Sequence, residues 1–239
     1  MSFVLFSLFF AIAILVINPS AGLAAENLAA QPVATATASG IPLTAAWKSV
    51  IYAFAKSNLR HAGWGLEHSE RNYHVSMEIA KSEHMAVDED VIFATAFLHD
   101  MDSIGKFNLN DVPHGVGSAK EAEPILREAG FPMAKFDAVR DAMATHMYYS
   151  QPSSRPESIV MHDADTLEFI GAIGIARTIG LIGDRTDLGG VTRSIEKNRA
   201  EIPSKLITRT ARKIAAGRIQ EMNVFLEALD RETFGKTAL

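Results

Sequence analysis

A histidine and an aspartate, His99 and Asp100, stand together at the end of the strongly apolar run DVIFATAFLHDMD, residues 90–102. Burying an imidazole beside a carboxylate is costly unless a third group compensates them. A metal ion is the usual partner, because it takes a neutral imidazole nitrogen and a carboxylate oxygen from adjacent positions. The pair therefore indicates a candidate metal site at the end of a buried helix.

More residues of these two types lie on either side of the pair. His68 precedes it, and Asp163 and Asp165 follow in the segment MHDADTLEF. Positions two apart on a helix point about 200° apart, so both aspartates can hardly face one ion. Two imidazoles and two carboxylates are compatible with Mn, Fe, Co, Ni, Zn or Mg, and an octahedral ion would keep positions for water and a substrate oxygen.

The segments that carry these residues have helical periodicity. From Trp47 onward apolar residues recur at spacings of three and four, and no run of alternating polarity is long enough for a sheet, which predicts an all-α fold. The sequence also predicts a capping box that opens at Ser118 and a helix end at Gly130. Residues 157–181 are predicted to be helical, and residues 183–205 to be rich in loops, with room for a short helix or a cover over a site.

Composition limits the class of protein. The chain has 239 residues, of which 48% are hydrophobic and 21% charged, as expected for one domain with a sizeable core. A net charge of −5 argues against a nucleic-acid partner but allows a small anionic substrate held locally by arginine or metal. The chain contains no cysteine, which excludes disulfides, thiolate nucleophiles and cysteine-ligated zinc or iron–sulfur sites.

The N-terminal residues have the features of a targeting segment. Residues 3–17 are apolar, and Gly22 and Ala24 are placed for an A-x-A-like cleavage. The apolar run is shorter than the roughly 20 residues of an untilted membrane-spanning helix. We expect residues 1–25 to be a signal peptide of a protein exported to the bacterial periplasm, or alternatively an anchor in the inner membrane, and residues 26–43 to be a linker.

The order H-x2-R, then HD, then a helix with DAD resembles the HD-domain superfamily of metal-dependent phosphohydrolases. The likeness covers about residues 47–232 and extends to a subgroup of small bacterial HD phosphohydrolases, in which a helix similar to GAIGIAR, here residues 171–177, follows the last aspartate. The resemblance implies a single HD-domain helical bundle over residues 44–239, with a C-terminal helical extension, behind the signal or anchor segment.

The same resemblance implies the metal ligands residue by residue. The matching positions are His68, His99, Asp100 and Asp165. The chain departs from the family pattern in having ADTL where relatives often have ADRL, and Glu168 where a second aspartate is common. These departures leave the ligands in place and affect the residues around the substrate.

Other candidate residues surround that ligand set. Asp100 could orient an attacking water as well as bind metal, and a group that moves a proton is then needed nearby. His114, at the start of a helix where anions bind readily, and His146 lie in regions that bind substrate phosphate or a second metal in similar HD proteins. The candidate substrate contacts are Arg71, Lys106 and Arg177.

The expected function is hydrolysis of a small phosphoester or a nucleotide phosphoanhydride by metal-activated water. One alternative is a lyase similar to cyanamide hydratase, which adds water to a nitrile-like carbon with the same set of metal ligands. The segment HSERNY of this chain loosely resembles the first motif of such lyases. Another is a non-catalytic module that binds metal or ligand. The expected partner is a small anionic substrate, with no nucleic acid and with possible membrane anchoring through the N-terminus.

Overall fold

The computed structural model describes residues 35–104, 107, 112–183 and 185–239. The predicted signal or anchor segment lies outside the described residues, as does the linker before residue 35. Lys106, a predicted substrate contact, also lies outside them.

The described residues form nine α-helices with short 3-10 turns between some of them. The helices are α1 Ala46–Asn58, α2 Leu66–Ser82, α3 Glu89–Leu98, α4 His114–Ala129, α5 Phe136–Ala144, α6 Pro156–Leu167, α7 Gly171–Ile179, α8 Leu188–Glu201 and α9 Arg209–Glu232. Two isolated β-bridges are the only strand-like pairings in this part of the chain. The predicted all-α class is therefore confirmed for it. None of these helices combines the length and apolarity needed to cross a membrane.

Helix α3 lies at the centre of the bundle and contacts α1, α2, α4, α5 and α6. Every residue from Val91 to Leu98 is buried, which explains why the sequence there has no polar face. The helix begins after Asp88, whose carboxylate accepts a hydrogen bond from the Asp90 amide. It ends directly before the His99–Asp100 pair, so a fully buried segment of the core positions these two side chains.

Helix α4 begins at His114, and the predicted capping box at Ser118 is wrong. Ser118 lies within the helix, and its hydroxyl accepts a hydrogen bond from the Asp102 amide at 3.0 Å. The serine thus joins α4 to the 3-10 turn after the HD pair instead of capping the helix. The predicted end at Gly130 is confirmed, with a left-handed φ of +83°.

The predicted helical stretch over residues 157–181 is divided into α6 and α7. The chain turns after Leu167, and Gly171 begins α7 with a φ of +76°, which disfavours any residue with a side chain. A Cβ atom at this position would also lie 2.7 Å from Cγ of Arg218. Helices α6 and α7 both contribute to one cavity, through Asp165 and Arg177.

Residues 183–205 are more regular than their sequence predicts, because most of them form the 14-residue helix α8. The Asp187 carboxylate caps this helix by accepting from the Gly190 amide at 2.7 Å. Residues 35–43, the described end of the predicted linker, also pack against the bundle. There the Ser39 amide donates to Glu70 at 2.8 Å, and Ile41 is buried.

Candidate metal centre

The four predicted ligands meet between α2, α3 and α6. Nε2 of His68 is 3.2 Å from Nε2 of His99, 3.3 Å from Oδ2 of Asp100 and 3.2 Å from Oδ1 of Asp165. The Asp100 side chain, the most accessible of the four, is only 12% exposed. The fold thus places two imidazoles and two carboxylates around one small interior volume.

Asp163, the competing ligand candidate, points elsewhere. Its carboxylate accepts hydrogen bonds from the amides of Ile207 and Thr208 and from the Thr208 hydroxyl, at 2.7–2.9 Å. It therefore fixes the segment that leads into α9. Only Asp165 of these two aspartates faces the imidazole of His68, as expected for positions two apart on a helix.

Three histidines present Nε2 to this interior volume because their Nδ1 atoms are engaged elsewhere. The Nδ1 contacts are Glu168 Oε2 at 3.0 Å for His68, the Ala96 carbonyl at 3.0 Å for His99 and the Met143 carbonyl at 2.6 Å for His146. An acceptor at Nδ1 keeps a proton there and leaves the Nε2 lone pair available. This is the orientation that metal-binding histidines need.

His146 has an unsatisfied nitrogen directed at the cluster. The residue is fully buried, and its Nε2 has no hydrogen-bond partner among the described residues. Nε2 lies 3.9 Å from Oδ1 of Asp100. Burial, and next the charge of His99, lower the pKa of His146 to about 4, so the ring is neutral at physiological pH. A buried, neutral and unpartnered imidazole nitrogen fits a metal ligand.

His114 lies on the other side of Asp100. Its Nε2 is 2.9 Å from Oδ1 of Asp100, and its Nδ1 is 3.4 Å from Oδ2 of Asp102. Burial lowers the pKa of His114, but the hydrogen bond to Asp100 and the contacts with Asp102 outweigh it, so the pKa is raised. The two carboxylates on either side of His114 thus favour its protonated form.

The ligand carboxylates are balanced by a proton on a histidine. Burial opposes ionisation of His68, but hydrogen bonds to Asp100, Asp165 and Glu168 outweigh it and raise its pKa to about 10. Burial likewise opposes ionisation of Asp100 and Asp165, yet the surrounding histidines hold both pKa values well below the usual range. A cation can replace this proton, since metal binding requires the deprotonated ligand.

The donor set fits a divalent cation. Two buried triads, His68–His99–Asp165 and His99–Asp100–His146, each offer one ligand atom per residue within 4.8 Å of one another. Neighbouring ligands of an octahedral ion with bonds of about 2.1 Å are about 3 Å apart, close to the spacings around His68. Histidine nitrogen and carboxylate oxygen together suit first-row transition metals and Mg.

Glu168 is a functional candidate whose role the sequence did not reveal. Its buried carboxylate contacts Nδ1 of His68 and accepts from Nε and Nη2 of Arg71, at 2.7–3.2 Å. Burial raises the pKa of this carboxyl, but His68 and Arg71 outweigh it and lower the pKa to about 2. Arg71, predicted as a substrate contact, thus forms an ion pair with Glu168, which in turn contacts the predicted ligand His68.

A second such candidate is Asn72. It is fully buried, and its side-chain amide touches His68, His99 and Asp165. Its position four residues after His68, and therefore on the same face of α2, is the one signal the sequence contains.

A cavity of about 620 Å³ opens from the ligands toward solvent. Asp100, Asp165 and His114 lie at its inner end. Its walls carry basic and aromatic side chains, among them Trp64, Tyr148, Phe169, Arg177, Arg185 and Lys197. Nη1 of Arg177 donates to the Glu168 carbonyl at 3.0 Å. Helix α8 contributes Lys197, so the segment 183–205 forms part of the wall.

Comparison with known proteins agrees with a metal site at this cluster. The HD domain family model matches residues 65–170, which include all four predicted ligands. No curated protein sequence matches the chain.

Solved structures share the fold. A Lactobacillus plantarum protein has 21% identity and a TM-score of 0.59, covering 80% of this chain and 98% of its own. Bacillus subtilis YpgQ in complex with ADP has 22% identity and a TM-score of 0.58, and the match covers 77% of this chain and 97% of YpgQ. A predicted HD superfamily hydrolase from an uncultured Thermotogales bacterium has 25% identity and a TM-score of 0.54, and the match covers 78% of this chain and 90% of the hydrolase.

The family match contains the cluster, and the structures that share the fold include HD-superfamily hydrolases. HD domains bind divalent metals, and the buried histidines and aspartates of this chain could hold one. Residues 65–170 of the chain therefore match the HD domain, and the chain shares its fold with solved HD-superfamily hydrolases.

Proposed function

We propose that this protein is a metal-dependent phosphohydrolase that cleaves a small phosphoester or a nucleotide phosphoanhydride. A cavity that is lined by two carboxylate ligands, Asp100 and Asp165, and by basic side chains carries the proposal. Such a cavity can accept an anion whose reacting phosphorus lies next to the ligands.

The basic side chains favour a phosphate substrate over the neutral substrate of a hydratase. Arg177, Arg185 and Lys197 all line the cavity. Arginine binds phosphate oxygens through several N–H donors, and lysine contributes a point charge. A nitrile carries no charge, so a hydratase would gain little from these three residues. The two proposed functions therefore differ in what the cavity walls are for.

Aromatic residues extend the fit to a nucleotide. Tyr148 and Phe169 lie side by side on the cavity wall with ring centroids 5.1 Å apart. Aromatic rings bind a flat base through their faces and edges. The B. subtilis YpgQ structure, which has the same fold, was solved in complex with ADP. Nucleotides are therefore the first substrates to test.

The proposed chemistry divides into two parts. A divalent cation held by the four ligands would polarise a phosphoryl oxygen and lower the pKa of a water molecule. Asp100 directs Oδ2 to the other ligands and Oδ1 to His114. It can therefore bind the cation through one oxygen and orient a water molecule through the other. His114 holds a proton at Nε2 and can deliver it to the leaving oxygen, with Asp102 orienting the ring from Nδ1.

The N-terminal sequence narrows the proposed substrates. We propose export to the periplasm, or anchoring at the inner membrane, on the basis of the apolar residues 3–17. Nucleoside triphosphates are scarce outside the cytoplasm. A nucleoside monophosphate, a cyclic nucleotide or another small phosphoester is then the substrate expected first.

The direct test measures phosphate and pyrophosphate release from a panel of phosphoesters and nucleotides with added Mn²⁺. Wild type and Asp100→Ala are compared, with Asp137→Ala as the matched control because Asp137 is 71% exposed and forms an ion pair with Arg140 on its own helix. We expect turnover by wild type and the control and none by Asp100→Ala. Metal-loaded wild type that hydrates cyanamide and releases no phosphate would support the lyase instead. Loaded protein that does neither would support the non-catalytic module.

A further inference from the structure

Asn72 touches the ligand atoms themselves. It lies one helical turn after His68 on α2 and is fully buried. Its Nδ2 is 3.0 Å from Nε2 of His68, 3.4 Å from Nε2 of His99 and 3.4 Å from Oδ1 of Asp165. These three atoms are the ligand atoms of one of the two candidate triads.

The distances place the end of the Asn72 side chain at a corner of the ligand set, not at its centre. The ligand atoms of His68, His99 and Asp165 lie 3.2–3.8 Å from one another, and Nδ2 lies at a similar distance of 3.0–3.4 Å from each of them. An atom in the place of the ion would be about 2.1 Å from each ligand. The end of the amide therefore has the spacing of a further ligand next to the other three.

The Asn72 amide turns its nitrogen toward the three ligand atoms. Nδ2 lies 3.0–3.4 Å from them, whereas Oδ1 is buried with no hydrogen-bond partner among the described residues. A cation held by those atoms would repel the N–H groups and attract the amide oxygen. Nitrogen and oxygen of an amide have nearly the same shape, so turning the amide by 180° brings Oδ1 to the same corner without moving the backbone.

We propose that Asn72 binds the metal of this site through Oδ1, as a fifth protein ligand. The proposal rests on the metal centre of the proposed function. Two imidazoles, two carboxylates and one amide oxygen would form a five-donor set with three oxygens, which would leave one position of a six-coordinate ion for water, a substrate oxygen or Nε2 of His146. Carboxylate and carbonyl oxygens suit Mn²⁺ and Mg²⁺, whereas Zn²⁺ is usually satisfied with four ligands. Asn72 thus favours a hard, six-coordinate cation.

The test measures the affinity of the full chain for Mn²⁺ and for Zn²⁺ by calorimetric titration. Asn72→Leu removes the donor at nearly constant volume, and Asn72→Asp keeps an oxygen and adds charge. Ser76→Ala is the matched control, because Ser76 is a fully buried polar residue on the same helix that contacts Val160 and Met161 instead of the ligands. Circular dichroism checks that each variant is folded.

We expect Asn72→Leu to weaken Mn²⁺ binding about ten- to a hundred-fold and Zn²⁺ binding less. Asn72→Asp should bind Mn²⁺ at least as tightly as wild type, and Ser76→Ala should bind as wild type does. Water-proton relaxation should report one more exchangeable water on Mn²⁺ in Asn72→Leu, which a purely structural role would not produce.

The possible failures are distinguishable. If Asn72→Leu and wild type bind Mn²⁺ with equal affinity and equal numbers of waters, Asn72 is no ligand although the metal centre stands. If Asn72→Leu does not fold, weaker Mn²⁺ binding by Asn72→Asp overturns the assignment. If wild type binds no divalent cation, the proposed function and the role of Asn72 fail together.

Discussion

Two clusters of charged residues in this protein are balanced in different ways. In the first, between α1 and α3, the buried Lys48 ammonium lies 3.1 Å from Glu89 and 3.2 Å from Asp90, and Lys135 lies 2.7 Å from Asp90. Permanent positive charges of the chain face permanent negative ones. This cluster is satisfied by the chain itself.

The second cluster, at the metal centre, lacks that permanence. Asp100 and Asp165 face imidazoles, whose charge depends on protonation. The pKa of His68 is raised to about 10, so this ring keeps its proton at neutral pH. A proton is a replaceable counter-charge, whereas the lysines of the first cluster are not replaceable. The comparison shows that the carboxylates of the metal centre depend on a counter-charge that a metal can replace, whereas those of the first cluster have fixed partners.

The largest effect should come from removing a carboxylate of the metal centre. Asp165→Asn keeps the size of the side chain but loses the charge, so bound metal should become undetectable. Hydrolysis should fall by about a thousandfold, the equivalent of several kcal/mol of lost charge stabilisation. Metal content by mass spectrometry and kcat/KM measure both effects.

The control for that variant is Asp163→Asn, two residues away. Asp163 accepts three hydrogen bonds at the start of α9 and none of them involves the metal ligands. It should lose about 1–3 kcal/mol of unfolding free energy and still bind metal. Equal metal loss in the two variants would contradict the separate roles of the aspartates.

Removing a fixed charge from the first cluster should cost stability without affecting metal. Lys48→Met leaves Asp90 and Glu89 without their buried partner. Because Glu89 is 46% exposed, we expect a loss of about 2 kcal/mol of unfolding free energy, below the 3–5 kcal/mol typical of fully buried pairs. Urea unfolding measures the loss, and unchanged Mn²⁺ affinity is the expected control. A variant that unfolds normally but binds metal weakly would show that the clusters are coupled.

Changing the group that orients a ligand should have a smaller effect than removing the ligand. Glu168→Gln keeps the shape of the side chain but weakens the hold on Nδ1 of His68 and on Arg71. Metal affinity should fall about ten- to a hundred-fold with the fold intact. Calorimetric titration with Mn²⁺ is the measurement, and affinity equal to wild type would mean that His68 is oriented by packing alone.

The effect of a single pH unit should be the smallest, a change of about tenfold in metal affinity. In the metal-free protein His68 is protonated below its pKa of about 10, so a metal must displace that proton. His146, with a pKa of about 4, is already neutral, and the Asp100 and Asp165 pKa values lie well below the usual range. Affinity should therefore rise with pH between 6 and 9.

Titration in buffers of different ionisation enthalpy checks this by counting protons. We expect about one proton released per metal bound at pH 8. Glu168→Gln, which lacks a carboxylate that raises the His68 pKa, should release fewer. Binding that is independent of pH, with no proton release, would show that His68 is neutral before metal arrives.

Much of the fold could be predicted because its signals are local. The apolar run before His99 and the periodicity from Trp47 onward predict helices directly. The failures also have local causes. Ser118 is a residue type that often caps helices, but its hydroxyl bonds to the Asp102 amide instead. Gly171 divides a periodic stretch, and Arg218 packs against it where a side chain would otherwise lie. Residues rich in glycine and charge form α8 because the cap at Asp187 and packing overcome weak propensity.

The sequence by itself determined the helical class, the absence of thiol chemistry and an ordered set of histidines and aspartates that suits a metal. Tertiary structure decided which atoms meet. His68 and Glu168 are 100 residues apart, and Asn72 and Asp165 are 93 apart, so their contacts depend on how α2 and α6 pack. The physical reason is that periodicity reports the face on which a side chain lies, whereas a metal centre depends on where several such faces converge.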